Sequence, residues 1–186
     1  MRKPALIAGA LLIAAVALLM SLGGFESAGT SAVRENVQGN PRYVVANAEW
    51  TRLGANGKTE FHINAEHIDF YDDESARMTN MAMDGLNQGK GPWHLTSPLG
   101  QMPAHDKRIL LNKPVVITGA MKQGDPVKLT TDQLWVDGAR KELYTESPVL
   151  MTRGSQQASA NGMNADWAGQ RLQLLHDVKV IYVPNG

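Results

Sequence analysis

The chain has 186 residues, 43% hydrophobic and 19% charged, which is enough apolar content to fold around a core. Lys+Arg and Asp+Glu are 18 each, so the chain lacks the positive surplus of a nucleic-acid binder. It contains no cysteine, which excludes a disulfide framework, a thiolate zinc site, a Cys nucleophile and a lipidated cysteine.

The first predicted element is apolar. Ala5 to Gly23 is a run of 19 uncharged residues, mostly Ala, Leu, Ile and Val. As a helix it would be roughly 28 Å long, close to the hydrocarbon thickness of a bilayer. Arg2 and Lys3 precede it and Glu26 follows it. The positive-inside rule then puts the N-terminus in the cytoplasm and everything after Phe25 outside. A cleaved signal peptide is the competing reading. Its apolar region ordinarily spans about 7–15 residues, and Gly23-Gly24-Phe25 is a poor cleavage site, so residues 1–25 are expected to be an uncleaved anchor. Residues 26–40 are small and polar and read as a flexible tether.

Residues 41–186 change character. Short apolar alternations are cut by turn signals at Asn56-Gly57, Asp72-Asp73, Asp84-Gly85, Gly124-Asp125-Pro126, Asp137-Gly138 and Asn161-Gly162. Such spacing predicts an all-β domain. The stretches Lys107–Ile117, Lys141–Met151 and Gln170–Val180 resemble one another: Ile109, Leu143 and Leu172 each precede a valine by six residues. Each also follows a similar segment (Leu95-Thr96-Ser97, Leu129-Thr130-Thr131, Ala158-Ser159-Ala160) by fourteen, which gives a repeat of 34 and then 29 residues. A looser copy begins at Phe61.

Side chains alternate across a strand. One face of the three stretches carries Ile109, Leu111, Val115, Ile117, Leu143, Thr145, Val149, Met151, Leu172, Leu174, Val178 and Val180, of which only Thr145 is polar. The opposite face is wetter. The expected fold is therefore an elongated antiparallel β-jelly roll or sandwich, built from repeated hairpins that bury their dry faces, with an open edge at each end.

No catalytic constellation stands out, and no enzyme, metal or cofactor is expected. His62 to His67 has one residue too many for a zinc motif of the His-x-x-Glu-His type. On a regular strand the two rings would also face opposite sides. Asp72-Asp73-Glu74 lacks the spaced ligands of a calcium loop and reads as a solvated turn. Met78, Met81 and Met83 read as core, with a pliable ligand lining as the other option. The four tryptophans fall at different points of the repeats and read as separate anchors.

An anchor, a polar tether and a repeated β-domain with Lys113-Pro114-Val115-Val116 and Ser147-Pro148-Val149-Leu150 turns together resemble the LptC family. Members are inner-membrane-anchored, single-pass periplasmic components of lipopolysaccharide export. Phe61-His62-Ile63-Asn64-Ala65-Glu66-His67-Ile68 looks like the family's first hairpin, and Val127-Lys128-Leu129-Thr130-Thr131-Asp132-Gln133-Leu134 looks like a later strand entry. The likeness covers nearly the whole chain, with Tyr43 to Val183 matching the periplasmic domain and the first repeat departing from the others. LptA and the N-terminal part of LptD share the β-repeat but carry cleaved signals, so the anchor favours LptC.

The resemblance implies acceptance of lipopolysaccharide from the LptB–LptF–LptG transporter and delivery to LptA. It implies a groove for acyl chains, with candidates Phe61, Ile63, Met83, Ile109, Leu111, Val115, Ile117, Leu143, Val149, Met151, Leu172 and Leu174. It further implies docking of LptA at the C-terminal edge (Val178, Val180, Tyr182), and of the transporter at the N-terminal edge (Tyr43, Val45) and anchor helix. No phosphate-binding loop is present, so energy would come from the transporter. The alternative is an anchored β-scaffold that regulates a transporter without binding lipid.

Overall fold

A computed structural model describes residues 39–54, 57, 59–85, 93–120, 125–169 and 171–182. The expected anchor, all of the tether before Gly39, and Val183 lie outside the described residues. Among those described, no helix is long and apolar enough to cross a membrane.

The described chain folds into nine strands: β1 (Tyr43–Leu53), β2 (Thr59–Phe70), β3 (Ala76–Asp84), β4 (His94–Met102), β5 (Ile109–Ala120), β6 (Pro126–Asp137), β7 (Glu142–Arg153), β8 (Gln156–Asp166) and β9 (Arg171–Tyr182). Each pairs antiparallel with the next, in the order β1 to β9. The three repeats are the pairs β4–β5, β6–β7 and β8–β9. The all-β antiparallel expectation therefore holds. There are not two separate sheets, however; one continuous sheet is folded on itself.

A crease crosses every strand near its middle and makes that fold possible. Register shifts occur between Thr96 and Leu99, Asn112 and Val115, Thr131 and Trp135, Thr145 and Pro148, and Ser159 and Asn161. Asn47, Asn80, Gly162 and Asp177 lie on the same line with φ of 50°, 49°, 89° and 52°. This left-handed region is open to Gly and tolerated by Asn and Asp. Bulges of this kind bend strands and raise their twist.

Three sequence expectations are corrected here. The Lys113-Pro114 and Ser147-Pro148 steps are not turns but lie inside β5 and β7, on the crease. Asn161-Gly162 is likewise inside β8. Proline lacks a ladder donor and glycine reaches positive φ, so both residue types suit an interrupted ladder as well as a turn. The third correction concerns His62 and His67. The inner positions of β2 are Phe61, Ile63 and Ala65 before the crease but Ile68 and Phe70 after it. The parity flip puts both rings on the outer face. Asp72-Asp73-Glu74 does form a turn, in which Asp73 Oδ1 accepts from Ser75 N at 3.0 Å and Ser75 Oγ at 2.6 Å.

The crease divides the sheet into two arms. The N arm holds Tyr43–Ala46 of β1 and the corresponding halves of the other strands; the C arm holds Val178–Tyr182 of β9 and its counterparts. Their inner faces meet in one core containing Phe61, Ile63, Met83, Leu95, Val115 and Leu129 from the C arm and Met78, Leu111, Leu134, Val136, Leu143 and Met163 from the N arm. Three buried hydroxyls sit at the bend. Ser97 Oγ donates to Asn112 O at 2.7 Å or Leu99 O at 2.9 Å, Thr131 Oγ1 donates to Gln133 O at 3.3 Å, and Thr145 Oγ1 accepts from Ser147 N at 3.0 Å. They satisfy backbone groups that the interrupted ladder leaves unpaired, which explains the one polar residue on the dry face.

Candidate functional site

The inner face is a set of apolar rungs running across the sheet. In the C arm one rung passes through Trp50, Ile63, Met83, Leu95, Ile117, Leu129, Met151, Ala158 and Val180, each the cross-strand partner of the next. In the N arm Tyr43, Phe70, Ala76 and Met102 are linked in the same way, and across β4–β5 the row continues through Ile109, Val136, Leu143, Ala165 and Leu172.

Burial along these rungs is uneven. Phe61, Ile63, Met83, Ile109, Leu111, Val115, Ile117, Leu143 and Val149 are all buried, with Met83, Leu111 and Val115 fully so. Met151, Leu172 and Leu174 are partly buried against the core. The edge candidates are exposed: Tyr43 54%, Val45 37%, Val178 47%, Val180 71% and Tyr182 63%. The twelve groove candidates thus share one face, and the five edge candidates lie at its two ends.

The uncovered ends lie on opposite arms. At β1 the N arm is bare (Tyr43, Val45) while Trp50 of the C arm packs on the core. At β9 the C arm is bare (Val178, Val180, Tyr182) while Leu172 and Leu174 of the N arm are covered. Among the described residues, β1 and β9 each have a single strand neighbour, so each presents a free ladder edge.

One corner is closed by side chains that bridge the arms. Glu60 of the C arm receives Lys141 Nζ at 2.7 Å and lies 3.2 Å from Arg52 Nε. Arg52 also reaches Gly138 O at 3.5 Å and stands 5.8 Å over the Phe61 ring. Phe61 meets Trp167 edge-on, with centroids 6.5 Å apart. Arg52, Glu60 and Phe61 flank the β1–β2 turn, whereas Gly138 and Lys141 lie in the β6–β7 turn and Trp167 in the β8–β9 turn. The hydrogen bond from Lys141 holds the Glu60 carboxyl below its ordinary value; burial opposes this, and the charges of Lys141 and Arg52 reinforce it.

The outer face carries a different cluster. Arg108 donates to Asp106 Oδ2 at 2.6 Å and to the Tyr144 hydroxyl at 2.7 Å, and its guanidinium lies 4.9 Å over the Trp135 ring. Trp135 and Tyr144 stack with centroids 6.3 Å apart. Burial raises the Asp106 pKa, but the hydrogen bonds and charge of Arg108 outweigh it and the carboxyl stays below its ordinary value. This cluster ties β5, β6 and β7 together across the outer surface of the N arm. Shallow depressions of about 460 Å³ (Pro114, Thr130, Asp132, Pro148, Leu150) and 330 Å³ (Asn80, Thr96, Pro98, Val116) lie along the crease on the same outer face. Among the described residues no three His, Asp or Glu side chains converge on a metal position.

Sequence reasoning missed part of the inner face. Val127, Leu129, Leu134, Val136, Met163 and Ile68 share it with the candidates. Leu95 and Leu129 had a usable signal, since both lie in segments that precede the repeats by a fixed distance. Met78, Met81 and Met83 are buried in the core, whereas Trp135 alone of the tryptophans lies on the outer face, by Arg108. Glu60 and Lys141 carried no signal, being 81 positions apart and joined only by the fold.

No curated relative matches the chain. Among solved structures it is similar to LptH, described as the LptA homologous periplasmic component of the conserved lipopolysaccharide transport device from Pseudomonas aeruginosa. Identity is 10% and the TM-score 0.49, over 67% of this chain and 95% of that one. A family model described as "Lipopolysaccharide-assembly, LptC-related" matches residues 9–183. That match spans the rungs, both edges and the corner, so the chain belongs to the LptC family and its role lies in lipopolysaccharide transport.

Proposed function

We propose that this protein accepts lipopolysaccharide from the inner-membrane ABC transporter LptB–LptF–LptG, shelters its acyl chains against the inner face, and passes it to LptA. The observation that carries the proposal is the apolar rung that crosses all nine strands and ends uncovered at Val180. An acyl chain of a dozen carbons left in water costs on the order of 10 kcal/mol, at about 0.8 kcal/mol per CH₂. A face continuous from edge to edge removes that barrier if neighbouring domains extend it. The free edges supply the joints: β9 for LptA and β1 for the periplasmic domain of LptF, each by strand addition. Residues 1–25 would anchor the protein in the inner membrane with the β-domain in the periplasm. In this reading the chain does no chemistry and needs no cofactor.

The test is a photo-crosslinking residue at Leu174, half-buried on the inner face, with outward-facing Gln173 as control, in cells exporting lipopolysaccharide. An ATP-dependent lipid adduct at 174 and none at 173 is expected. A folded, complex-bound protein without an adduct at 174 would overturn lipid conduction along this face.

A second reading, a scaffold that regulates the transporter and never touches lipid, is favoured by one observation. Met83, Leu95, Leu111, Val115 and Leu134 are fully buried, so the middle of the inner face is filled by its own side chains.

A further inference from the structure

A filled inner face and a lipid path along it are compatible only if the two arms can part. Among the described residues the ladders do not link the facing arms, since each strand pairs with its neighbours in chain order and the crease is a line of bulges. Apart from apolar packing, contacts that span the arms are found at one corner: Glu60 with Lys141, Arg52 with Gly138 O, and Phe61 against Trp167, with Arg52 also pairing Glu60 within the C arm. The diagonally placed ends, Tyr43 and Val45 on one arm and Val178 and Val180 on the other, have no such cover.

We propose that this corner is a clasp that gates the inner face, closed in the empty protein and released when lipid acyl chains enter between the arms. The proposal rests on the lipid-carrying reading above and adds its control element. The chemistry suits the task. An ion pair between residues that are each partly solvated is weak and reversible. An edge-on pair of rings can separate without leaving a buried polar group unsatisfied. A ligand that binds only the parted state has its apparent affinity reduced by the fraction of molecules that are open. Weakening the clasp must therefore raise loading, and locking it must lower loading. A clasp that only stabilised the fold would change neither.

The absence of native cysteine makes the test direct. The double variant Glu60→Cys with Lys141→Cys removes the ion pair and offers a unique pair for a reducible bismaleimide. Photo-crosslinking residues are placed at Leu172, inside the same corner, and at Val180, on the uncovered end. The full chain is assayed with its transporter in membranes containing lipopolysaccharide. Without the linker, the adduct at 172 should rise about fivefold over the unsubstituted pair, which corresponds to about 1 kcal/mol. Linking should suppress it and reduction of the linker should restore it, while the adduct at 180 stays constant throughout. An adduct at 172 that linking leaves unchanged, with 180 still labelled, would overturn the gate and leave lipid carriage intact. No adduct at either position would overturn the lipid-carrying reading on which the gate depends.

Discussion

The two end strands are built alike and exposed differently. β1 and β9 are both long, both free on one side among the described residues, and both end the same apolar rungs. Yet in the C arm Trp50 of β1 packs on the core while Val180 of β9 is 71% exposed, and in the N arm the order reverses, with Tyr43 bare and Leu172 covered. The cause is the diagonal overlap of the arms. The β1–β2 corner of one lies over the β6–β9 turns of the other, so among the described residues the remaining two corners are left uncovered. The difference teaches that exposure here belongs to the corner and not to the strand. Each end offers a free edge beside a patch of bare inner face, which suits a partner that both adds a strand and continues the apolar surface.

The sharpest way to break this comparison is to truncate both kinds of position on one rung. Leu95→Ala should cost about 3 kcal/mol, within the range for a fully buried leucine, whereas Val180→Ala should cost less than about 0.5 kcal/mol. Urea unfolding of the β-domain checks both. Equal costs would mean that β9 is covered in solution.

A smaller effect is expected on docking. Proline at Val180 removes an edge N–H. The variant should bind LptA at least about tenfold more weakly, which is 1.4 kcal/mol, while keeping its hold on the transporter. Proline at Val44 should do the reverse. Pull-downs of each folded variant against both partners decide it, and a variant that loses both partners or neither would dissolve the distinction between the ends.

The smallest effect concerns the closed corner. The Glu60 pKa is lowered in the folded protein from an ordinary value of 4.5. The folded state therefore binds fewer protons than the unfolded state near that pH. The clasp's contribution is fully present above it and fades as pH falls through the lowered value. The difference in Tm between the natural chain and Glu60→Gln should be seen at neutral pH and vanish in acid, once the pH has fallen below the lowered Glu60 value. A difference that persists in acid would assign the corner's strength to the packing of Phe61 and Trp167 rather than to the ion pair.

How much of this was legible depended on the crease. In β5, β7 and β9 it consumes residues in a way that preserves the alternation, so Ile109, Leu111, Val115 and Ile117 share both a parity and a face. Those three strands carried the repeat that revealed the β-domain. In β2, β3, β4, β6 and β8 the inner parity flips at the bend, as from Phe61 and Ile63 to Ile68, or from Met78 to Met81. A fixed alternation read through such a strand puts half of it on the wrong face, and that is why His62 and His67 were expected on opposite sides.

The sequence by itself determined the antiparallel β class, the repeated hairpins and the apolar face of β5, β7 and β9, because these follow from local alternation and turn chemistry. It also determined the family, because the order of those elements extends over nearly the whole chain. Only the tertiary structure decided where the sheet bends, which corner is shut and which ends are bare. Those depend on Glu60 meeting Lys141 and Phe61 meeting Trp167, contacts between residues far apart in the chain that no local pattern encodes.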